Sequence, residues 1–129
     1  MKALTLTQPW ATAVAIGVKQ IETRSWSTTY RGPLAIHAAK GWTAADREFA
    51  QTERTLGRIP PRIPLGAVIA TCELYDVCPA EEIGLLASAI ERLYGDYSPG
   101  RFAWMLTNVH PLPEPVPARG SLGLWEWDG

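Results

Sequence analysis

The sequence predicts an α+β domain, a small mixed and curled β-barrel with α-helices at its periphery. Three observations lead there. The chain has 129 residues, 47% of them hydrophobic, which suits one domain over 1–129 built around one core. Its segments run in the order β-α-β-β-α-β-α-β-β, without the regular βαβ repetition of a doubly wound parallel sheet. The stretch from 66 to 76, Gly-Ala-Val-Ile-Ala-Thr-Cys-Glu-Leu-Tyr-Asp, is β-branched and nearly continuously apolar, as in a central strand buried on both faces.

Taken in order, residues 2 to 6 alternate as a short strand. Thr7 then stands where it can cap a helix with Pro9 in its first turn, where a missing N–H needs no partner, and Gly17 stops that helix. Trp10, Ala13, Val14 and Gly17 fall at helical spacing and mark its inward face, with Gln8 at the end that points toward a cleft. Residues 19 to 26 and 33 to 38 read as the two strands of a hairpin turning around Tyr30-Arg31-Gly32. Thr43 opens a polar helix to Arg54, with Asp46 and Glu48 near its start, and the prolines between Leu56 and Pro64 make that stretch a loop. Beyond the central strand, a helix is predicted from Pro79 to Leu93. A Gly-Asp-Tyr-Ser-Pro-Gly loop follows at 95 to 100, then strands at 102 to 112 and 122 to 127 separated by a proline-rich link.

Twelve basic and thirteen acidic residues leave a formal charge of −1, which argues against generic polyanion binding by net charge. The distribution is uneven: residues 1 to 62 carry nine Lys or Arg against four Asp or Glu, and residues 63 to 129 carry three against nine. Such asymmetry permits an anion site on the N-terminal half. Cys72 and Cys78 do not make a disulfide framework, and their spacing matches neither a zinc nor a redox pair, so a reducing compartment is expected. With no signal-peptide h-region and no apolar run long enough for a bilayer, the expectation is a soluble, cytoplasmic protein without membrane partners. No cluster of Cys or His has ligand spacing, so neither a metal nor a cofactor is expected.

The densest group of chemistry-bearing residues is Gly17-Val18-Lys19-Gln20-Ile21-Glu22-Thr23-Arg24-Ser25-Trp26. On a strand, alternation places Glu22, Arg24 and Trp26 on one face and Ile21 and Thr23 on the other. Charges on a barrel strand need partners, because an unpaired ionised group is costly to take out of water, so mutual neutralisation is the plain structural reading. Thr23 and Ser25 carry hydroxyls, but neither has an adjacent histidine to activate it, and both read as structural. His37, at a strand end, reads as a hydrogen-bonded rim residue. Of six tryptophans, Trp104, Trp125 and Trp127 lie on predicted strands and belong to the core; Trp10 and Trp26 flank the charged motif, where indole faces can stack on bases. Tyr30, Arg31 and Lys40 offer phosphate contacts, although loop cations are usually only solvated surface.

Several spaced motifs together resemble the ASCH family. They are Leu4-Thr5-Leu6-Thr7-Gln8-Pro9-Trp10-Ala11, then Gly17-x-Lys19-x-x-Glu22-x-Arg24-Ser25-Trp26, then Tyr30-Arg31-Gly32-Pro33-Leu34-x-Ile36-His37-Ala38. Gly66-Ala67-Val68-Ile69-Ala70, Phe102-Ala103-Trp104-x-Leu106 and Gly123-Leu124-Trp125 extend the likeness over nearly the whole chain. The resemblance implies a PUA-like mixed β-barrel whose cleft is lined by the Gly-x-Lys-x-x-Glu-x-Arg motif. It implies partners among RNA, other single-stranded nucleic acid or a nucleoside. Ligand-binding residues are then expected at Lys19, Glu22, Arg24, Trp26, Trp10, Gln8 and Tyr30. The family also has hydrolytic members, and in an enzyme Lys19 and Glu22 would be catalytic, Glu22 as general base and Lys19 for charge stabilisation. One bacterial branch hydrolyses acetylated cytidine with a Lys-x-x-Thr motif, and this sequence carries Glu22 in place of that threonine. Two rival readings are therefore a metal-independent amidohydrolase or ribonuclease, and a protein-interaction module using the surface around Leu56 to Pro64.

Overall fold

The computed structural model describes all residues, 1–129, and is an α+β fold built on one six-stranded, curled half-barrel sheet. The strands are β1 (Lys2–Leu6), β2 (Ile21–Arg24), β3 (Gly32–Ala38), β4 (Ala67–Pro79), β5 (Phe102–Pro117) and β6 (Leu124–Glu126). Their order across the sheet is β2-β5-β4-β3-β1-β6. Only β1 and β3 pair in parallel; every other pair is antiparallel. The curl has a visible cause in the long β4–β5 ladder, whose register shifts three times. Bulges bend a strand and increase its twist, which wraps the sheet around the core.

The predicted hairpin of β2 with β3 does not form. β2 pairs with β5, Glu22 opposite Trp104, whereas β3 lies between β1 and β4. Burial explains the separation. Leu34, Ala35, Ile36 and Ala38 of β3 are all fully buried, so this strand needs neighbours on both edges and cover on both faces. β2 carries charged side chains and is stable only at the sheet edge, where they find polar partners. Alternation assigns the two faces: Leu4, Leu6, Leu34 and Ile36 enter the main core, while Ala3, Ala35 and Val68 form a second, smaller cluster against Trp125 and Trp127.

The helices are short. α1 (Trp10–Ala15) is stopped at Gly17, whose φ of 85° suits glycine. Thr7 does not cap it by its side chain; Gln8 does the equivalent work, its Oε1 accepting from the Thr12 N–H at 2.9 Å. α2 (Ala44–Thr55) begins as the sequence predicts, with Thr43 and Asp46 exchanging capping-box hydrogen bonds. The single helix expected over 79 to 93 is two, α3 (Ala80–Gly84) and α4 (Ala89–Leu93). Ser88 caps the second by accepting from the Glu91 N–H at 3.1 Å. β5 runs on past residue 112 through Pro113, Pro115 and Pro117, because β2 covers only its first four residues and a proline is tolerated along an edge free of ladder bonds. No helix is long and apolar enough to cross a membrane.

Candidate functional site

Lys19, Glu22 and Arg24 meet where α1 hands over to β2. The backbone N–H of Lys19 donates to the Ala13 carbonyl at 3.0 Å, which folds the residue back beneath α1. Its side chain is wholly buried, and Nζ donates to the main-chain carbonyl of Tyr94 at 2.6 Å and lies 3.5 Å from Glu22 Oε1. The second carboxylate oxygen, Glu22 Oε2, accepts from Arg24 Nη1 at 3.0 Å. That same Nη1 reaches the Thr5 carbonyl at 3.4 Å, and the guanidinium stands 5.8 Å from the centre of the Trp26 ring. Glu22 is therefore clamped between an ammonium and a guanidinium, with its side chain only 9% exposed. Burial pulls the Lys19 ammonium below the ordinary lysine value, against the opposing pull of Glu22 and Glu91. Glu91, on α4, accepts from the Gln20 N–H at 2.6 Å through Oε2, and its Oε1 is buried with no partner.

Beside this cluster opens a first cleft of about 350 Å³. Trp10, Glu22, Thr23 and Arg24 line it from the N-terminal half, and Asp46, Asp96 and Arg101 close it from α2 and the loop after α4. Glu22, Asp46 and Asp96 supply three carboxylates; Arg24 and Arg101 supply two guanidiniums, and the Lys19 ammonium sits behind Glu22. The charges balance. Hydrogen bonds from Ser98 hold the Asp96 carboxyl below the usual carboxylate range. The uneven charge of the two halves of the sequence does not survive folding here, because both halves contribute to one wall.

The expected site residues are thus divided. Glu22, Arg24 and Trp10 line the cleft; Trp10 also stacks on Phe49 with centroids 5.5 Å apart and planes 3° apart. Lys19 lies behind the wall. Trp26 packs edge-on against Trp104 at 4.8 Å and touches the cleft only through Arg24. Gln8 is fully buried and faces away from the cleft: its Nε2 donates to Thr12 Oγ1 and to the Pro64 carbonyl, each at 2.8 Å, so it ties the 56–64 loop to α1. Tyr30 folds its hydroxyl onto the Pro33 carbonyl and packs on the main core, outside the cleft.

Five participants escaped the sequence reading, among them Asp46, which it read only as a residue near the start of α2. Thr23, expected to point away from Glu22, lines the same cleft, because β2 is an edge strand and the 95–97 loop wraps its open side. Thr23 Oγ1 accepts from the Asp96 N–H at 2.9 Å, and Arg101 donates to the Thr23 carbonyl at 3.1 Å. A Cβ at Gly95 would meet Tyr97 at 2.9 Å and Thr23 at 3.3 Å, so the close wrap depends on that glycine. Asp96, Arg101 and Tyr94 come from the other half of the sequence, and their only local signal was the glycine-bearing loop at 95 to 100.

The ASCH domain family model matches residues 4–115. The chain belongs to the ASCH family. Over 132 residues it is 26% identical to activating signal cointegrator 1 of Mus musculus and 25% identical to that of Homo sapiens, in each case covering 97% of this chain and 22% of the relative. The chain therefore spans about a fifth of the length of these relatives. Among solved structures, the ASCH protein of Zymomonas mobilis superimposes with a TM-score of 0.54 at 16% identity, covering 90% of this chain and 72% of that one. A variant of the same bacterial protein gives 0.56 at 18% identity, covering 90% and 74%. At such identity the likeness shows the fold, and the ASCH half-barrel is that fold.

Proposed function

We propose that this ASCH domain binds RNA by receiving one base of a single strand in the first cleft. The observation that carries the reading is charge balance in a space of nucleoside size. A phosphate placed there would meet the carboxylates of Glu22, Asp46 and Asp96; a neutral heterocycle with donors and acceptors would not. Glu22 accepts from an exocyclic amine, Arg24 donates to a base acceptor, and Trp10 offers an aromatic face. Lys19 acts through Glu22 as a positioning residue.

A second reading, hydrolysis of a modified nucleoside or of RNA, is favoured by the lowered pKa of Lys19 beside a cleft carboxylate. In it, Glu22 takes the proton of an attacking water, Arg24 positions the substrate and Lys19 stabilises the changing charge, with no metal or cofactor. One experiment separates the two. Wild type and the near-isosteric Glu22→Gln are incubated with labelled single-stranded RNA and with acetylated cytidine, following bound fraction, strand length and nucleoside conversion. RNA binding by wild type that drops at least about tenfold in Glu22→Gln, without turnover, is the expected result. Turnover lost in the variant assigns a hydrolase; neither binding nor turnover refutes both readings and leaves the cluster structural.

A further inference from the structure

Twelve Lys and Arg side chains are present. Nine make an ion pair, a hydrogen bond or an aromatic contact. The three that make none are Lys40, Arg62 and Arg119, and two of these, Lys40 and Arg119, line one second cleft of about 1090 Å³. No Asp or Glu lines it. Uncompensated cations in a concave wall without carboxylates focus a positive potential, unlike isolated cations on a convex surface.

The second cleft is also built. Its floor is a relay in which Trp125 Nε1 donates to Thr5 Oγ1 at 3.0 Å, Thr5 Oγ1 meets His37 Nδ1 at 3.1 Å, and His37 Nε2 donates to the Ala118 carbonyl at 2.7 Å. The three wall segments are tied together: the Gly66 N–H donates to the Ala38 carbonyl at 2.9 Å, and the Ala118 N–H to the Gly66 carbonyl at 3.1 Å. Gly120 lies so close over the relay that a Cβ would stand 2.7 Å from both His37 Cε1 and Thr5 Oγ1. The backbone N–H groups of Gly120 and Ser121, in the wall, donate to no acceptor of the protein. Two free cations and two free amides on a fixed frame suit an anion of several oxygens.

Position supplies the partner. β6 pairs with β1 only as far as Leu4, so Thr5 and Leu6 form an open sheet edge. Alternation turns Leu6 into the first cleft and Thr5 into the second, and Arg24 of the first cleft bonds the Thr5 carbonyl between them. The two clefts are the two sides of one strand end. We infer that the second cleft holds the sugar-phosphate backbone of the strand whose base enters the first, with Lys40 and Arg119 on its phosphates. This rests on the RNA reading above.

The test is binding of a ten-nucleotide single-stranded RNA between 50 and 200 mM salt by wild type, Lys40→Ala/Arg119→Ala and, as a charge control outside both clefts, Arg62→Ala. Each phosphate contact on a single strand contributes about 0.7 to the slope of log affinity against log salt. The double variant is expected to lose about 1.4 of slope, so that its deficit against wild type shrinks about sevenfold across that range; Arg62→Ala keeps the wild-type slope. Tripolyphosphate is titrated in parallel, following the amide NMR signals of Gly66, Gly120 and Ser121. Equal slopes in wild type and double variant overturn the second cleft and leave the first-cleft reading intact. Shifts with tripolyphosphate but no RNA binding overturn the RNA reading, and with it the strand path. A polyglutamate peptide competing as well as RNA of equal charge overturns the phosphate assignment in favour of an acidic protein partner.

Discussion

In the first cleft each oxygen of Glu22 faces its own cation, Arg24 and Lys19. In the second, on the other side of the same strand, Lys40 and Arg119 have no partner at all and stand over a relay of indole, hydroxyl and imidazole. Paired buried charges hold one another in place, and removing one leaves its partner stranded in the interior. Free exposed cations hold nothing in place, and removing them changes only what the surface attracts. One domain thus keeps two kinds of polar surface apart, one whose charges are paired in the interior and one whose cations are left free at the surface.

The largest expected effect breaks the first kind. Glu22→Ala leaves the Lys19 ammonium buried without its carboxylate and should lower stability by about 3–5 kcal/mol in urea unfolding; a loss below about 1 kcal/mol would show that the cluster is not coupled to folding. Next comes the frame of the second cleft. Gly120→Ala drives a Cβ into His37 and Thr5 and should destabilise by about 1–3 kcal/mol, seen as a lowered Tm. Third is pH. Because burial lowers the Lys19 pKa, the unfolded chain holds more protons at this position between that lowered value and 10.5. The stability deficit from burying the ammonium is therefore full below the lowered pKa and disappears progressively as pH rises from that value to 10.5. Relative to Lys19→Met, wild type should gain stability with pH in this window, with a slope of at most about 1.4 kcal/mol per pH unit; a flat difference removes the linkage. The smallest effect sharpens the contrast: Lys40→Ala/Arg119→Ala should unfold within about 0.5 kcal/mol of wild type. A larger loss would mean that these cations, too, are part of the scaffold.

Local signals carried much of the fold. The Thr43 and Asp46 capping box, the Gly17 stop and the apolar runs of β3 and β4 each depend on neighbours within a few residues, and each was legible. Pairing partners were not. That β2 joins β5 rather than β3 depends on which strand needs two covered faces, a comparison among distant segments. The break between α3 and α4 had a sign in Ser88-x-x-Glu91, a capping pattern inside the presumed helix. In the site, Lys19, Glu22 and Arg24 were recognisable because they lie within six residues of one another. Asp96, Arg101 and Tyr94 were not, because only the folded edge of β2 brings them there. Gln8 and Tyr30 misled for the opposite reason: near the motif in sequence, they spend their hydrogen bonds on the scaffold.

Tyr94 makes three separate attachments. Its ring meets Phe49 edge-on at 5.3 Å, its hydroxyl donates to Glu53, which Arg58 grips through two nitrogens, and its main-chain oxygen receives Lys19. Only the first two depend on the side chain. The anchor of the lysine is therefore written in the path of the chain and not in the identity of the residue there. A library randomised at position 94 would loosen or retune the clasp between α2 and the loop after α4 while leaving Lys19 its oxygen, so mobility over the cleft and the charge beneath it can drift independently.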